Sequence, residues 1–173
     1  MNQETEVILT ALRQRTGDAE FGYRMQALFA HTIMRLGWRI LAINAKGHPD
    51  INAQAADEEV LIQVKSNAHR SASSILELSF DDVEGIRAIG RRTGWFALLD
   101  CAAPVQWFVI DSQRAKSLLG RPLHLATLKA NCDAEISATC SRHFHEIISN
   151  NRVRLPTLSF HVLSRRALIG DGL

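Results

Sequence analysis

The sequence predicts an α/β fold in which a mixed central β-sheet is flanked by helices, with an α-rich C-terminal extension. Three observations carry this expectation: a helical pattern over residues 18–36, three β-type segments in quick succession after it, and a capped helix followed by two more strands. At 173 residues and 46% hydrophobic content the chain has the size of one domain with a real core. No internal repeat, low-complexity run or Pro/Gly/Ser-rich linker divides it, so a single unit over 1–173 is expected, with a core at about 17–112 and the extension from about 113.

The elements follow in order. Residues 3–14 read as a short helix, and after the break at Thr16-Gly17 a longer one runs to about Leu36, ended by Gly37. On its wheel Phe21, Met25, Leu28, Phe29 and Leu36 share one side, while Glu20, Arg24, His31 and Arg35 form a stripe that reads as a solvated face. The segments "WRILAINA" (38–45), "DINAQA" (50–55) and "EVLIQVKS" (59–66) are separated by the turn signals "KGHP" and "ADE", which makes antiparallel neighbours of them. A loop, "NAHRSASS", and the brief segment "ILELSF" precede a helix with Ser79 as N-cap and Asp82 in capping-box position, predicted to end at Gly94. Strands "WFALLD" and "VQWFVID" come next. Beyond Ser112 the patterns are weaker: short helices near 113–119 and 123–130, a helix over 133–149 and a strand, "TLSFHVLS", over 157–164.

Composition bounds the function classes. A net charge of +2 with a sequence pI near 8.6 permits a polyanionic partner without requiring one. Cys101, Cys132 and Cys140 are odd in number and form no C-x-x-C pair, which argues against a disulfide scaffold and for the reducing cytoplasm. The N-terminus has no basic-then-apolar signal pattern, and no apolar run approaches the ~20 residues of a membrane span, so no membrane association is expected.

The chemistry gathers around the second and third strands. Side chains alternate along a strand, so Val60, Ile62 and Val64 face one way and Gln63 and Lys65 the other, and an antiparallel neighbour can bring Asp50 opposite them. Phosphodiester hydrolysis calls for such a group: hard oxygen ligands for Mg²⁺ or Mn²⁺, and a cation that orients water or stabilises developing charge. Asp50 supplies a carboxylate, Gln63 an amide carbonyl and Lys65 an ammonium. Ser66, Asn67, His69 and Arg70, just beyond, are able to contact phosphates.

Pro49-Asp50, twelve intervening residues and Gln63-Val64-Lys65 together resemble the PD-(D/E)xK motif of the restriction-endonuclease-like nuclease superfamily, in a QxK variant. Upstream, "GDAEF" followed by a helix and "LGW" is similar to that family's first core helix. Downstream, "LSFDDVEGIRAIGRRTGWFALLD" resembles the helix and strands that follow the lysine in Holliday-junction-resolvase-like members. The likeness spans roughly residues 17–112. It implies a restriction-endonuclease-like core and a Mg²⁺-dependent endonuclease acting on DNA. By the same resemblance Asp50 is the central metal ligand, Glu20 and Gln63 supporting ligands, the Val64 backbone carbonyl a further one, and Lys65 the catalytic cation. Many such nucleases cut two strands as symmetric homodimers, so the resemblance gives the segment from about Arg121 a role in dimerisation or in substrate contacts. If the stripe on the long helix faces substrate instead of solvent, Arg24, His31 and Arg35 extend the Glu20 face toward the nucleic acid. One departure stands out: the family's usual acid is Gln63 here, which removes a negative charge from the metal site and makes Glu20 the expected compensator.

Two rival readings are set beside this one. A catalytically silent relative could keep the fold to bind nucleic acid or a protein partner. In "CSRHFHEI", Cys140, His143 and His145 suggest zinc, but on a helix His143 and His145 diverge by about 200°, so one face cannot use all three.

Overall fold

The computed structural model describes residues 2–67, 75–102, 104–121 and 123–173. Gly17, with φ of 78°, splits the first helical stretch into α1 (Asn2–Thr16) and α2 (Asp18–Met34). Three strands follow: β1 (Arg39–Ile43), β2 (Ile51–Ala55) and β3 (Glu58–Asn67). After the short β4 (Ile75–Leu76), α3 (Phe80–Ala88) crosses back and feeds β5 (Gly94–Asp100) and β6 (Gln106–Asp111). The remainder is mainly helical: α4 (Ser112–Ser117), β7 (Leu123–His124), α5 (Leu125–Asn131), α6 (Ala134–Asn151), a 3-10 turn (Leu155–Thr157) and α7 (Phe160–Leu168).

The main sheet has the order β1-β2-β3-β5-β6. Its first three strands are antiparallel, β5 lies parallel to β3 through the α3 crossover, and β6 turns back antiparallel to β5. A mixed sheet flanked by helices is thus the architecture, in the order of helix, three strands, helix and two strands that the sequence predicts. A separate two-stranded ladder joins β4 to β7.

Both faces of the sheet are buried. On one, Val60, Ile62, Val64, Ala97, Leu99, Trp107 and Val109 pack against α1, α2, α6 and α7. Trp107 sits between Phe29 of α2, at 4.4 Å between ring centroids, and Phe144 of α6, edge-on at 5.6 Å. On the other face, Phe96, Leu98, Phe108 and Ile110 meet Ile86 of α3, Ala115 of α4 and Leu128 of α5. The C-terminal third is therefore part of the main core: Phe144, Ile147, Ile148, Leu155, Leu163 and Ala167 all lie within it.

The outer edge of β6 is closed by a helix. The Ser137 and Ser141 hydroxyls of α6 each accept a backbone N–H from the strand, Val109 and Trp107 respectively, both at 2.9 Å. Four residues of helix rise about 6 Å and two of strand about 6.7 Å, so serines one helical turn apart meet alternate strand amides. The Asp133 N–H adds a bond to the Val109 carbonyl at 2.9 Å.

Three sequence expectations are corrected. "TLSFHVLS" is not a strand: Ser159 caps α7, whose Leu163 and Ala167 are buried four residues apart, a helical spacing. The helix after Ser79 stops at Ala88, with Gly90 at φ 65°, and Gly94 opens β5 instead of ending α3. The stripe on α2 is not a solvated face, because α7 and the 3-10 turn cover it: Arg24 is 8% and His31 2% exposed. No helix among the described residues is long and apolar enough to cross a membrane.

Candidate active site

Asp50 is placed by the turn before β2. The Asn44 N–H donates to the Asp50 carbonyl at 2.8 Å, and the Asn44 side-chain amide donates to the Pro49 carbonyl at 2.7 Å, so the residue just after β1 holds both members of the Pro-Asp pair. The β2–β3 register pairs Ile51 with Ile62, which sets Asp50 beside Gln63 and Val64. The Val64 N–H donates to Asp50 Oδ2 at 2.8 Å. Asp50 is 4% exposed, and burial pushes its carboxyl up to about 7. The Val64 amide and His48 pull the other way, and Asp82 and Asp81 add to the rise.

Gln63 is 3% exposed on the sheet face beneath α3. Its Oε1 accepts from His48 Nδ1 at 3.2 Å, which gives Nδ1 the proton. Helix α3 comes so close here that a Cβ on Gly85 would lie 1.8 Å from Gln63 Oε1 and 2.0 Å from its Cδ, so only glycine leaves room for the amide. Two residues on, the Lys65 ammonium pairs with Asp82 Oδ2. The same oxygen accepts the Ser79 N–H at 2.7 Å and the Ser79 hydroxyl, completing the capping box that starts α3.

These groups open into a cleft of about 620 Å³ between α2, the β1–β2 turn, β3 and the start of α3. Asp50, Gln63, Val64, Lys65 and Ser66 line it, so the structure brings those candidates together. Asn67, half-buried, ends β3 outside the lining, and its carbonyl accepts the Cys101 N–H. His69 and Arg70 lie outside the described residues.

Glu20 and Arg24 are placed apart from this group. The Glu20 carboxylate accepts Arg24 Nε at 2.8 Å and the Phe160 N–H at 3.2 Å, and Arg24 also donates to the Leu155 carbonyl. Both belong to the seam between α2 and the C-terminal helices, and neither lines the cleft. The face of α2 that does line it carries Asp18, Gly22, Tyr23 and Gln26. Sequence reasoning missed His48, next to the Pro-Asp pair, and saw in Asp82 a helix cap alone. Their signals were present: a histidine two residues before the central acid, and an acid that the capping box fixes at a helix start.

The donor chemistry fits a hard divalent cation. A buried carboxylate with an amide as its hydrogen-bond donor and an elevated pKa gains from a cation beside it, and the Gln63 amide oxygen adds a second hard donor. Among the described residues no three His, Cys, Asp or Glu side chains are grouped to hold a metal, so any such set draws on amide or backbone oxygen as well. The Cys140/His143/His145 group is not a zinc site either. Cys140 is buried, His145 bonds Thr5 Oγ1 at 2.8 Å and the Val105 carbonyl at 2.9 Å, and His143 faces Glu146 at 3.4 Å.

Compared with known proteins, the chain matches no family model and no curated protein. Among solved structures it is similar to Hjc, a Holliday junction resolvase from the archaeal hyperthermophile Archaeoglobus fulgidus, at 21% identity and a TM-score of 0.44, over 60% of this chain and 89% of that one.

Proposed function

We propose that the chain is a metal-dependent endonuclease that hydrolyses DNA phosphodiester bonds in this cleft. The observation that carries the reading is the convergence of a buried carboxylate (Asp50), an amide oxygen (Gln63) and an ammonium (Lys65) at one end of adjacent strands. Asp50, the Gln63 side-chain oxygen and the Val64 carbonyl hold Mg²⁺ or Mn²⁺. When bound, such an ion polarises the phosphate and lowers the pKa of a water ligand. Lys65 stabilises charge that develops on the phosphate, while Lys46, His48 and Ser66 offer it hydrogen-bond donors at the mouth. A homodimer would present two such clefts to the two strands of a duplex, which light scattering at micromolar concentration checks.

The test is cleavage of supercoiled plasmid, linear duplex, single-stranded and four-way-junction DNA with Mg²⁺ and with Mn²⁺. Asp50→Ala and Lys65→Ala serve as controls. Cutting that Asp50→Ala abolishes and Lys65→Ala lowers to a small residual rate supports the proposal, and the preferred substrate names the subclass. If neither metal supports cutting of any substrate while the protein still binds DNA, the silent-module reading replaces it. The neutral Gln63 and the engagement of Lys65 by Asp82 are what favour that second reading.

A further inference from the structure

We infer that Asp82 is a positioning residue that holds the Lys65 ammonium at the cleft, and that helix α3 is the rigid mount that makes this possible. The inference rests on the nuclease reading for its consequence and on geometry for its content.

One oxygen, Asp82 Oδ2, takes the Lys65 ammonium together with the Ser79 N–H and hydroxyl. The carboxylate side chain is 8% exposed and the lysine 20%, so the pair is shielded from bulk water on most sides. Asp82 cannot drift, because the capping box fixes it at the first turn of α3. Nor can α3 drift freely, because Gly85 seats it against Gln63 and Ile86 is fully buried in the second core. A lysine is a point charge on a flexible four-carbon stem, and it becomes a precise electrostatic group only when something on a rigid element holds its end. The other carboxylates in the cleft are Asp18, Asp81 and the buried Asp50. Released from Asp82, the ammonium is drawn to these, and one that settles on Asp50 competes with any cation for the central carboxylate.

The experiment compares Asp82→Asn, Lys65→Ala and the double variant with the wild type. An asparagine oxygen still accepts the Ser79 N–H, so the cap survives while Lys65 loses the negative charge that pairs with it. Expected in Asp82→Asn is a kcat lower by about 10- to 100-fold, the range set by a misplaced catalytic group, at a KM within about twofold. In the Lys65→Ala background the same change has no further effect on residual activity, because Asp82 acts through the lysine. Side-chain ¹³C relaxation of Lys65 supplies a readout that needs no activity: ordered in the wild type, mobile in Asp82→Asn. A lysine that stays ordered in Asp82→Asn overturns the inference, as does a loss of equal size in both backgrounds. Should the wild type cut no substrate, the nuclease reading has failed, and the relaxation measurement decides the positioning by itself.

Discussion

Gly85→Ala should change sign with the residue it faces. In the wild-type background the new Cβ would sit 1.8, 2.0 and 2.7 Å from Gln63 Oε1, Cδ and Cγ, and a side chain that is 3% exposed has little room to retreat. Overpacking of this kind costs about 1–3 kcal/mol. Alanine in place of glycine inside a helix returns about 1 kcal/mol. The net expectation is a loss of up to about 2 kcal/mol, or a Tm lower by up to ~8 °C for a chain of this size. The three nearest atoms all lie beyond the Cβ of Gln63, so Gln63→Ala removes each of them. In that background Gly85→Ala keeps only the helix gain and stabilises by about 1 kcal/mol. Urea unfolding of the four proteins in the cycle measures both values through Cm at constant m. Stabilisation by Gly85→Ala in the wild-type background would refute the idea that Gly85 exists to seat the amide.

Other expectations follow from the same contacts. Glu20→Gln should lower stability by about 1–2 kcal/mol in denaturant melts, because it weakens the acceptor for Arg24 and the Phe160 N–H, and leave metal-dependent cleavage per folded molecule nearly unchanged. Asp50 titrates near 7 in the fold against 3.8 as a free group, so folding stability is lost as pH climbs through that window. Asp50→Asn, which can keep the bond from Val64, should therefore be more stable than the wild type at pH 7.5, by up to about 4 kcal/mol, with no advantage at pH 4. His31 slopes the opposite way: burial pushes it down to about 4, so stability falls as pH drops from 6.5, by up to about 3 kcal/mol. That decline is best seen in the Asp50→Asn protein, and His31→Gln should flatten it. Ser137→Ala should cost about 1–3 kcal/mol by thermal or urea melts, the penalty of stranding the Val109 N–H.

Local chemistry was legible in the sequence wherever a short-range rule decided it. The apolar face of α2, the Ser79–Asp82 cap and the hairpins around "KGHP" and "ADE" each follow from spacing and turn residues alone. The meeting of Asp50 with Gln63 and Lys65 was legible too, since antiparallel register and strand alternation leave few other arrangements. What could not be read was which faces tertiary packing would cover. "TLSFHVLS" has both an alternating and a helical apolar pattern, and a strand there leaves out the helix whose Leu163 carbonyl meets His31 and whose Phe160 N–H meets Glu20. With no helix over it, Glu20 looked free for a metal. The roles of Asp82 and Gly85 depend on how closely α3 approaches β3, a distance between elements that no local pattern states.

The pair of serines along β6 has a consequence for how this chain may be shortened. A strand at the margin of a sheet is a template on which a foreign strand can grow, and here the template is apolar, with Trp107, Phe108, Val109 and Ile110 in a row. Helix α6 keeps it blank by answering its amides from outside the sheet. A fragment cut after Ser112 would retain every strand of the main sheet and all of the cleft's polar triad, yet it would leave the Trp107 and Val109 amides of an apolar edge open to a neighbouring strand. The segment that looks like an appendage is what closes that edge.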